Sequence, residues 1–264
     1  MKIEGKCFVV TGGASGLGEG TTREIVSRGG KVAIFDMNKE KADAVVAELG
    51  ADACAFYHCN IMEEESIDSA IEAAHAHFGE LHGAVLCAGG ALGAGLTVGR
   101  NKEGTKLDTW WKTVRLNIFG TFAVGSKVAA VCAKQGDAGD DGEKGVLVQC
   151  ASIAAVDGQD GQSAYSAGKA GVVGMTLPMA RDLSRVGVRV CTIMPGTMGT
   201  PMTAPIQKEG NKVGDSLRAA VPFPSRFGYP SEFAGLACHI IENGFLNGTL
   251  DPPATTIEEI IAFQ

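Results

Sequence analysis

The chain has 264 residues, of which 37 are Gly and only 9 Pro, with 45% hydrophobic and 20% charged residues. No Gly-X-Y period runs along it, so collagen and Pro/Gly-rich disorder are excluded, and a chain of this length buries enough surface to need no staples. With 23 Lys plus Arg against 30 Asp plus Glu, the net charge is -7, which argues against a nucleic-acid partner because a phosphate backbone selects a basic face.

Apolar or β-branched runs at 6–11, 31–35, 53–58, 82–88, 145–151 and 187–193 predict six strands separated by segments of helical period. KCFVV leads through a Gly-rich turn into a helix over about 17–28. KVAIFD ends on Asp36 and is followed by Asn38, an N-cap for KEKADAVVAEL. The run at 53–58 precedes MEEESIDSAIEAAHAHF, with acids in its first turn as the helix dipole prefers. A long helix over about 107–133 follows the fourth strand. AKQGDAGDDGEKG at 133–145 has four Gly and no periodicity, so it predicts an exposed loop. Strands that read as continuous apolar runs belong to a parallel sheet covered on both faces. The expectation is an α/β fold in a single domain over 1–264: a Rossmann-like, doubly wound parallel sheet.

The eight Cys form no CxxC pair, and Cys7, Cys87, Cys150 and Cys191 sit in or beside apolar runs, which predicts free thiols in a reducing compartment. The five His show no HExxH spacing, so no metal site is expected. No apolar stretch approaches the roughly 18 residues of a membrane span without polar breaks. The N-terminus runs straight into a strand without a basic, apolar leader, so a soluble intracellular protein is expected.

Residues 11–18 read TGGASGLG between the first strand and the first helix. Gly12, Gly16 and Gly18, with Ser15 and Leu17 between them, permit a tight turn and let backbone approach a pyrophosphate at the helix N-terminus. The carboxylate of Asp36 accepts hydrogen bonds from adenosine ribose hydroxyls and repels a 2′-phosphate. No Lys or Arg at 11–18 or 37–38 is available to hold such a phosphate, so NAD is favoured over NADP. The plain alternative is a solvated strand-end Asp.

YSAGK at 165–169 places Tyr165 and Lys169 on one helix face at i and i+4. Tyr is a poor base at neutral pH, but an adjacent ammonium and a nicotinamide cation favour its phenolate. Tyr165 then exchanges a proton with a substrate oxygen while hydride moves at carbon. A core Tyr, a helix-surface Lys and a capping Ser152 are the structural alternatives, each plausible alone.

TGxxxGxG, Asp36, Asn117, Ser152 and YxxxK in this order resemble the short-chain dehydrogenase/reductase family. The resemblance implies that Ser152 hydrogen-bonds the substrate oxygen, that Lys169 also holds the nicotinamide ribose, and that Asn117 positions a water in a proton relay. Pro195, Gly196 and Thr197, with Thr200 on the same loop, match the segment that meets the nicotinamide carboxamide. Across 6–248, segments such as SIAAVDGQDGQSAYSAGKAGVVGMTLPMARDL, PGTMGTPM and VPFPSRFG are similar to the branch of 3-hydroxyacyl-CoA and 17β-hydroxysteroid dehydrogenases. That branch implies NAD(H)-dependent interconversion of 3-hydroxyacyl-CoA and 3-oxoacyl-CoA, tolerance for other secondary alcohols, Gln162 as a substrate contact and 198–220 as a substrate lid. It also implies a homo-tetramer and, for animal members, mitochondria, with the cytoplasm as the alternative here.

Three positions depart from the family pattern. Cys87 replaces an Asn in CAGG at 87–90, while Ala88 and Gly89 remain to pass the adenosine side of the cofactor. Asn60-Ile61 replaces Asp-Val; Asn60 can still meet the adenine amino group through its carbonyl oxygen. The tail at 249–264 reads TLDPPATTIEEIIAFQ where the family has a last strand. Pro252 and Pro253 forbid a central strand, and TTIEEIIAF predicts a helix capped by Thr255 or Thr256, so the seventh strand is expected to be missing or altered. An NADP-dependent 3-oxoacyl reductase, a non-catalytic NAD-binding scaffold and an extended-branch epimerase or dehydratase stay open as alternatives.

Overall fold

The computed structural model describes residues 1–93 and 95–251. Seven strands run β1 (Cys7–Thr11), β2 (Lys31–Asp36), β3 (Cys54–His58), β4 (Gly83–Leu86), β5 (Gly145–Cys150), β6 (Val188–Ile193) and β7 (Leu250–Asp251). They form one sheet in the order β3-β2-β1-β4-β5-β6-β7, and every pairing is parallel. The helices are α1 (Gly16–Ser27), α2 (Lys39–Leu49), α3 (Glu64–Phe78), α4 (Leu107–Cys132), α5 (Ser163–Ser184), α6 (Ala204–Gln207), α7 (Lys212–Ala219) and α8 (Pro230–Glu242).

β1, β4, β5 and β6 are buried at every residue, as continuous apolar runs covered on both faces must be. Alternate side chains feed two cores. Val9, Phe35, Leu86 and Leu147 join α3, α4 and α5 on one face. Phe8, Ile34, Val85 and Val148 join α1, α2 and α8 on the other. The chain winds outward from β1 to β3, then returns to β4 on the other side of β1. The carboxyl ends of β1 and β4 therefore part at a switch point, where open α/β sheets take ligands.

α4 has an 18-residue window of mean hydropathy 1.2, long and apolar enough to cross a membrane by length and composition. Val114, Val124, Val128 and Ala129 are buried in the core, so α4 is a core helix of this domain.

Six of the thirteen residues at 133–145 are exposed, but Glu143 is buried. Its carboxylate accepts from the Met1 amine at 2.6 Å and pairs with Arg189 at 2.7 Å. The same guanidinium donates to the carbonyls of Ile240, Ile241 and Leu246. Arg189 thus satisfies carbonyls at the end of α8 that a helix leaves unpaired.

The seventh strand is altered rather than missing: its described part is two residues, Leu250 paired with Thr192 and Asp251 with Ile193, at the sheet edge. The helix predicted at 255–263 lies outside the described residues. Within the expected lid, a Cβ on Gly214 would run into the Ile206 carbonyl oxygen, so α7 packs closely against the end of α6 there.

Candidate active site

The carboxyl ends of β1, β4, β5 and β6 open on a cavity of about 410 Å³. The turn after β1 contributes Gly12, Ser15, Gly16, Leu17 and Gly18, and the end of β4 contributes Ala88 and Gly89. Ser152 follows β5; Gln162, Tyr165 and Lys169 come from the start of α5; Pro195, Gly196, Thr197 and Thr200 follow β6. Asp36, Asn60, Ile61 and Asn117 do not line this cavity. A second hollow of about 610 Å³, lined by residues such as Val98, Val156, Asp160 and Ser163, holds none of the predicted site residues.

Close approach explains the glycines of the first turn. A Cβ on Gly18 would lie 2.1 Å from the Gly12 carbonyl oxygen, so α1 can leave β1 at this angle only without a side chain there. Gly16 has φ of +57°, and a Cβ on it would lie 3.4 Å from Thr200 Cβ, so the first turn faces the loop after β6. Ser15 occupies the N-cap of α1 but makes no side-chain capping bond. The N–H groups at this helix N-terminus are left for an anion.

Asp36 holds the mouth of the turn. Its Oδ2 accepts from the Ala14 N–H at 3.1 Å and its Oδ1 from the Asn38 N–H at 2.9 Å. A carboxylate has about four acceptor sites, so lone pairs remain for ribose hydroxyls. Asn60 bonds within its own turn: its Oδ1 accepts from Met62 N–H at 3.1 Å and its Nδ2 donates to Glu63 at 2.7 Å. The Ile61 side chain is buried against Gly120.

Ser152 is extended and caps a single 3-10 turn over Ile153–Ala155; its Oγ accepts from Ala154 N–H at 3.2 Å, leaving the hydroxyl hydrogen to donate. One turn of α5 separates Tyr165 from Lys169, whose ammonium lies 5.7 Å from the centre of the Tyr165 ring. Lys169 is buried, and its Nζ donates to the Cys150 carbonyl at 2.7 Å. Two N–H groups of the ammonium remain to be used.

Asn117 lies on α4. It is fully buried, and its Nδ2 donates to the carbonyls of Gly90 (2.9 Å) and Thr113 (2.8 Å) while its Oδ1 accepts from Gly90 N–H (3.2 Å). Both amide hydrogens are committed, so the side chain clamps the segment after β4 and is not free to donate to a relay water. Thr11, not singled out from sequence, does similar work: its hydroxyl accepts from Ala88 N–H at 3.0 Å and ties β4 to β1. A Thr closing an otherwise apolar strand was the available signal. Met202, Ile206 and Leu217 add an apolar wall from the α6–α7 segment.

A Gly-rich turn over an open helix end, facing a Ser–Tyr–Lys group across one cleft, defines a dinucleotide-using oxidoreductase site on a Rossmann-like fold. The chain belongs to the short chain dehydrogenase family, whose model matches residues 6–211. It is 42% identical over 247 residues to 3-hydroxyacyl-CoA dehydrogenase type-2 of Drosophila melanogaster, covering 93% of this chain and 94% of that one. The 3-hydroxyacyl-CoA dehydrogenase type-2 of Mycobacterium avium superposes with a TM-score of 0.86 at 41% identity, covering 94% of this chain and 93% of that one. A 3-ketoacyl-(acyl-carrier-protein) reductase from Brucella melitensis, solved with NADH, superposes with a TM-score of 0.81 at 25% identity over 95% of this chain and 97% of that one. The chain is therefore an oxidoreductase of a family that uses nicotinamide cofactors.

Proposed function

We propose that this protein is an NAD(H)-dependent dehydrogenase that interconverts 3-hydroxyacyl-CoA and 3-oxoacyl-CoA, with other secondary alcohols as lesser substrates. The single observation that carries the reading is the convergence of Ser152, Tyr165 and buried Lys169 on the cavity that also receives the Gly-rich turn. The residues fit a dinucleotide: the turn after β1 has no side chains at its closest approaches, and the α1 N-terminus has no side-chain cap.

Bound nicotinamide supplies the hydride acceptor or donor at the substrate carbon. Ser152 donates its hydroxyl hydrogen to the substrate oxygen and fixes its position. Tyr165 takes the proton from that oxygen as the alcohol is oxidised and returns it in the reverse direction. Lys169, held by the Cys150 carbonyl, sets its ammonium close to the Tyr165 ring. Asp36 gives the preference for NAD(H): its fixed carboxylate accepts from ribose hydroxyls and repels a 2′-phosphate. The apolar side chains of Met202, Ile206 and Leu217 suit an acyl chain. By the same resemblance the chain is one catalytic domain over 1–264 that assembles into a homo-tetramer. The exposed Trp111 and Phe122, on one face of α4, support contact between copies.

Rates on acetoacetyl-CoA with NADH and NADPH test the reading. NADH is expected to outperform NADPH by about tenfold or more, the effect of roughly 1.4 kcal/mol. The reverse order would overturn the role of Asp36. Tight NADH binding with no turnover on any hydroxyacyl or hydroxysteroid substrate would instead favour a scaffold.

A further inference from the structure

Two thiols face the cavity and have no part in the proton chemistry. The parallel register sets Leu86 of β4 beside Gln149 of β5. Cys150 ends β5 and Cys87 comes just past the end of β4, and both pack into the same core. Both line the cavity. Neighbouring strands lie about 4.8 Å apart, inside the range of about 4.4–6.8 Å between the Cα atoms of a disulfide.

The thiols also act on each other's ionisation. Cys150 is held below the usual thiol range, first by the Cys87 thiol beside it and, against burial, by the Lys169 ammonium. Cys87 is pushed up in turn by Cys150 and by burial. Elsewhere burial pushes Cys7, Cys59, Cys132 and Cys238 up to about 12, and Cys54 upward. Reactivity follows the thiolate and its access; Cys87 is half-buried and Cys150 buried, and both border the cavity.

We propose that Cys87 and Cys150 are a redox-modification site, forming a reversible disulfide in the floor of the cofactor cavity when a hydroperoxide enters it. The Cys150 thiolate attacks hydrogen peroxide. An S–O bond forms, the O–O bond breaks, and hydroxide leaves as water with the proton Cys150 released. The Cys87 sulfur then attacks the sulfenic sulfur. The S–S bond forms, the S–O bond breaks, and the hydroxyl leaves as water with the Cys87 proton. Two thiols and one peroxide become one disulfide and two waters. The cross-link bears directly on the site, because the Cys150 carbonyl holds Lys169 and Cys87 precedes Ala88 and Gly89. It therefore stops turnover until a thiol reductant restores the pair.

The full-length protein is treated with a small excess of hydrogen peroxide, alkylated and digested, and the peptides are weighed with and without dithiothreitol. The expected product is a peptide joining Cys87 to Cys150, formed in step with loss of activity, both reversed by dithiothreitol. In Cys87→Ser neither the cross-link nor a reversible loss appears. Oxidation spread over the other cysteines without this cross-link, or cross-linked protein with full turnover, overturns the proposal. NADH at about ten times its Kd slows cross-linking about tenfold, because only the free fraction of the protein is open. Cross-linking at equal rates with and without NADH upholds the dithiol and counts against the placement of the cofactor.

Discussion

Tyr165 stands against the cavity with the Lys169 ammonium close to its ring, while Lys169 is anchored from behind by a backbone carbonyl. Removing the phenol hydroxyl thus deletes the proton carrier and leaves the anchor in place. Tyr165→Phe is expected to lower kcat by about 10²–10⁴, the usual worth of general acid–base catalysis. NADH binding, followed by fluorescence titration, stays near wild type; an equal loss in binding would assign Tyr165 to structure instead. This residue pair was legible in the sequence because i and i+4 on a helix is local geometry. The roles of Asn117 and Cys150 were not. What Asn117 bonds depends on where Gly90 lies after β4, and Cys150 gains a partner only through the β4–β5 register.

At the scale of elements, Arg189 on β6 holds the end of α8, the segment at Leu246 and the buried Glu143 of a distant loop. Arg189→Ala takes the guanidinium from the Ile240 and Ile241 carbonyls and leaves the carboxylate with only the Met1 amine. Breaking a buried charge pair in this way costs about 3–5 kcal/mol, to be read as a lowered urea midpoint; a change within error would show the network to be idle.

His82, just before β4, accepts the Cys7 N–H on Nδ1 at 3.1 Å and so links β4 to β1. Burial lowers its pKa; the charge of Lys6 acts the same way, and Glu80 opposes them. The unfolded chain then binds this proton more readily than the folded one. The contribution to stability is fully present above the unfolded value of about 6.5 and is lost as pH falls from there through the lower folded value. The urea midpoint of wild type is expected to drop between about pH 7 and 5, and less so in His82→Gln, which has no proton to gain.

Most strands and helices were readable from sequence because continuous apolar runs and helical period reflect burial directly. The end of the chain was not. Pro252 and Pro253 lie outside the described residues, and the described β7, Leu250–Asp251, sits at the sheet edge. Glu143 looked like part of an exposed loop because its partners, Met1 and Arg189, are remote in sequence.

For the whole molecule, the surface of α4 carries Trp111 and Phe122, 60% and 47% exposed, while Leu177 on the adjoining α5 is 45% exposed. These exposed apolar side chains on neighbouring helices are the surface that the proposed homo-tetramer would cover. Light scattering is expected to give the mass of a homo-tetramer, and the double change Trp111→Glu with Phe122→Glu a smaller species. An unchanged mass would remove this face from the assembly.

The meeting of Gly16 with Thr200 joins the first turn of the chain to a loop formed after six strands are in place. A dinucleotide lying along that seam binds the finished protein and not the unravelled one. At a hundred times its Kd it adds about 2.7 kcal/mol and cuts the unfolded population about a hundredfold. Pulse proteolysis in rising NADH should show the matching slowdown in cleavage; cleavage indifferent to NADH would separate the seam from folding. In a cell, the lifetime of this enzyme would then track its coenzyme supply, with molecules short of nucleotide degraded first.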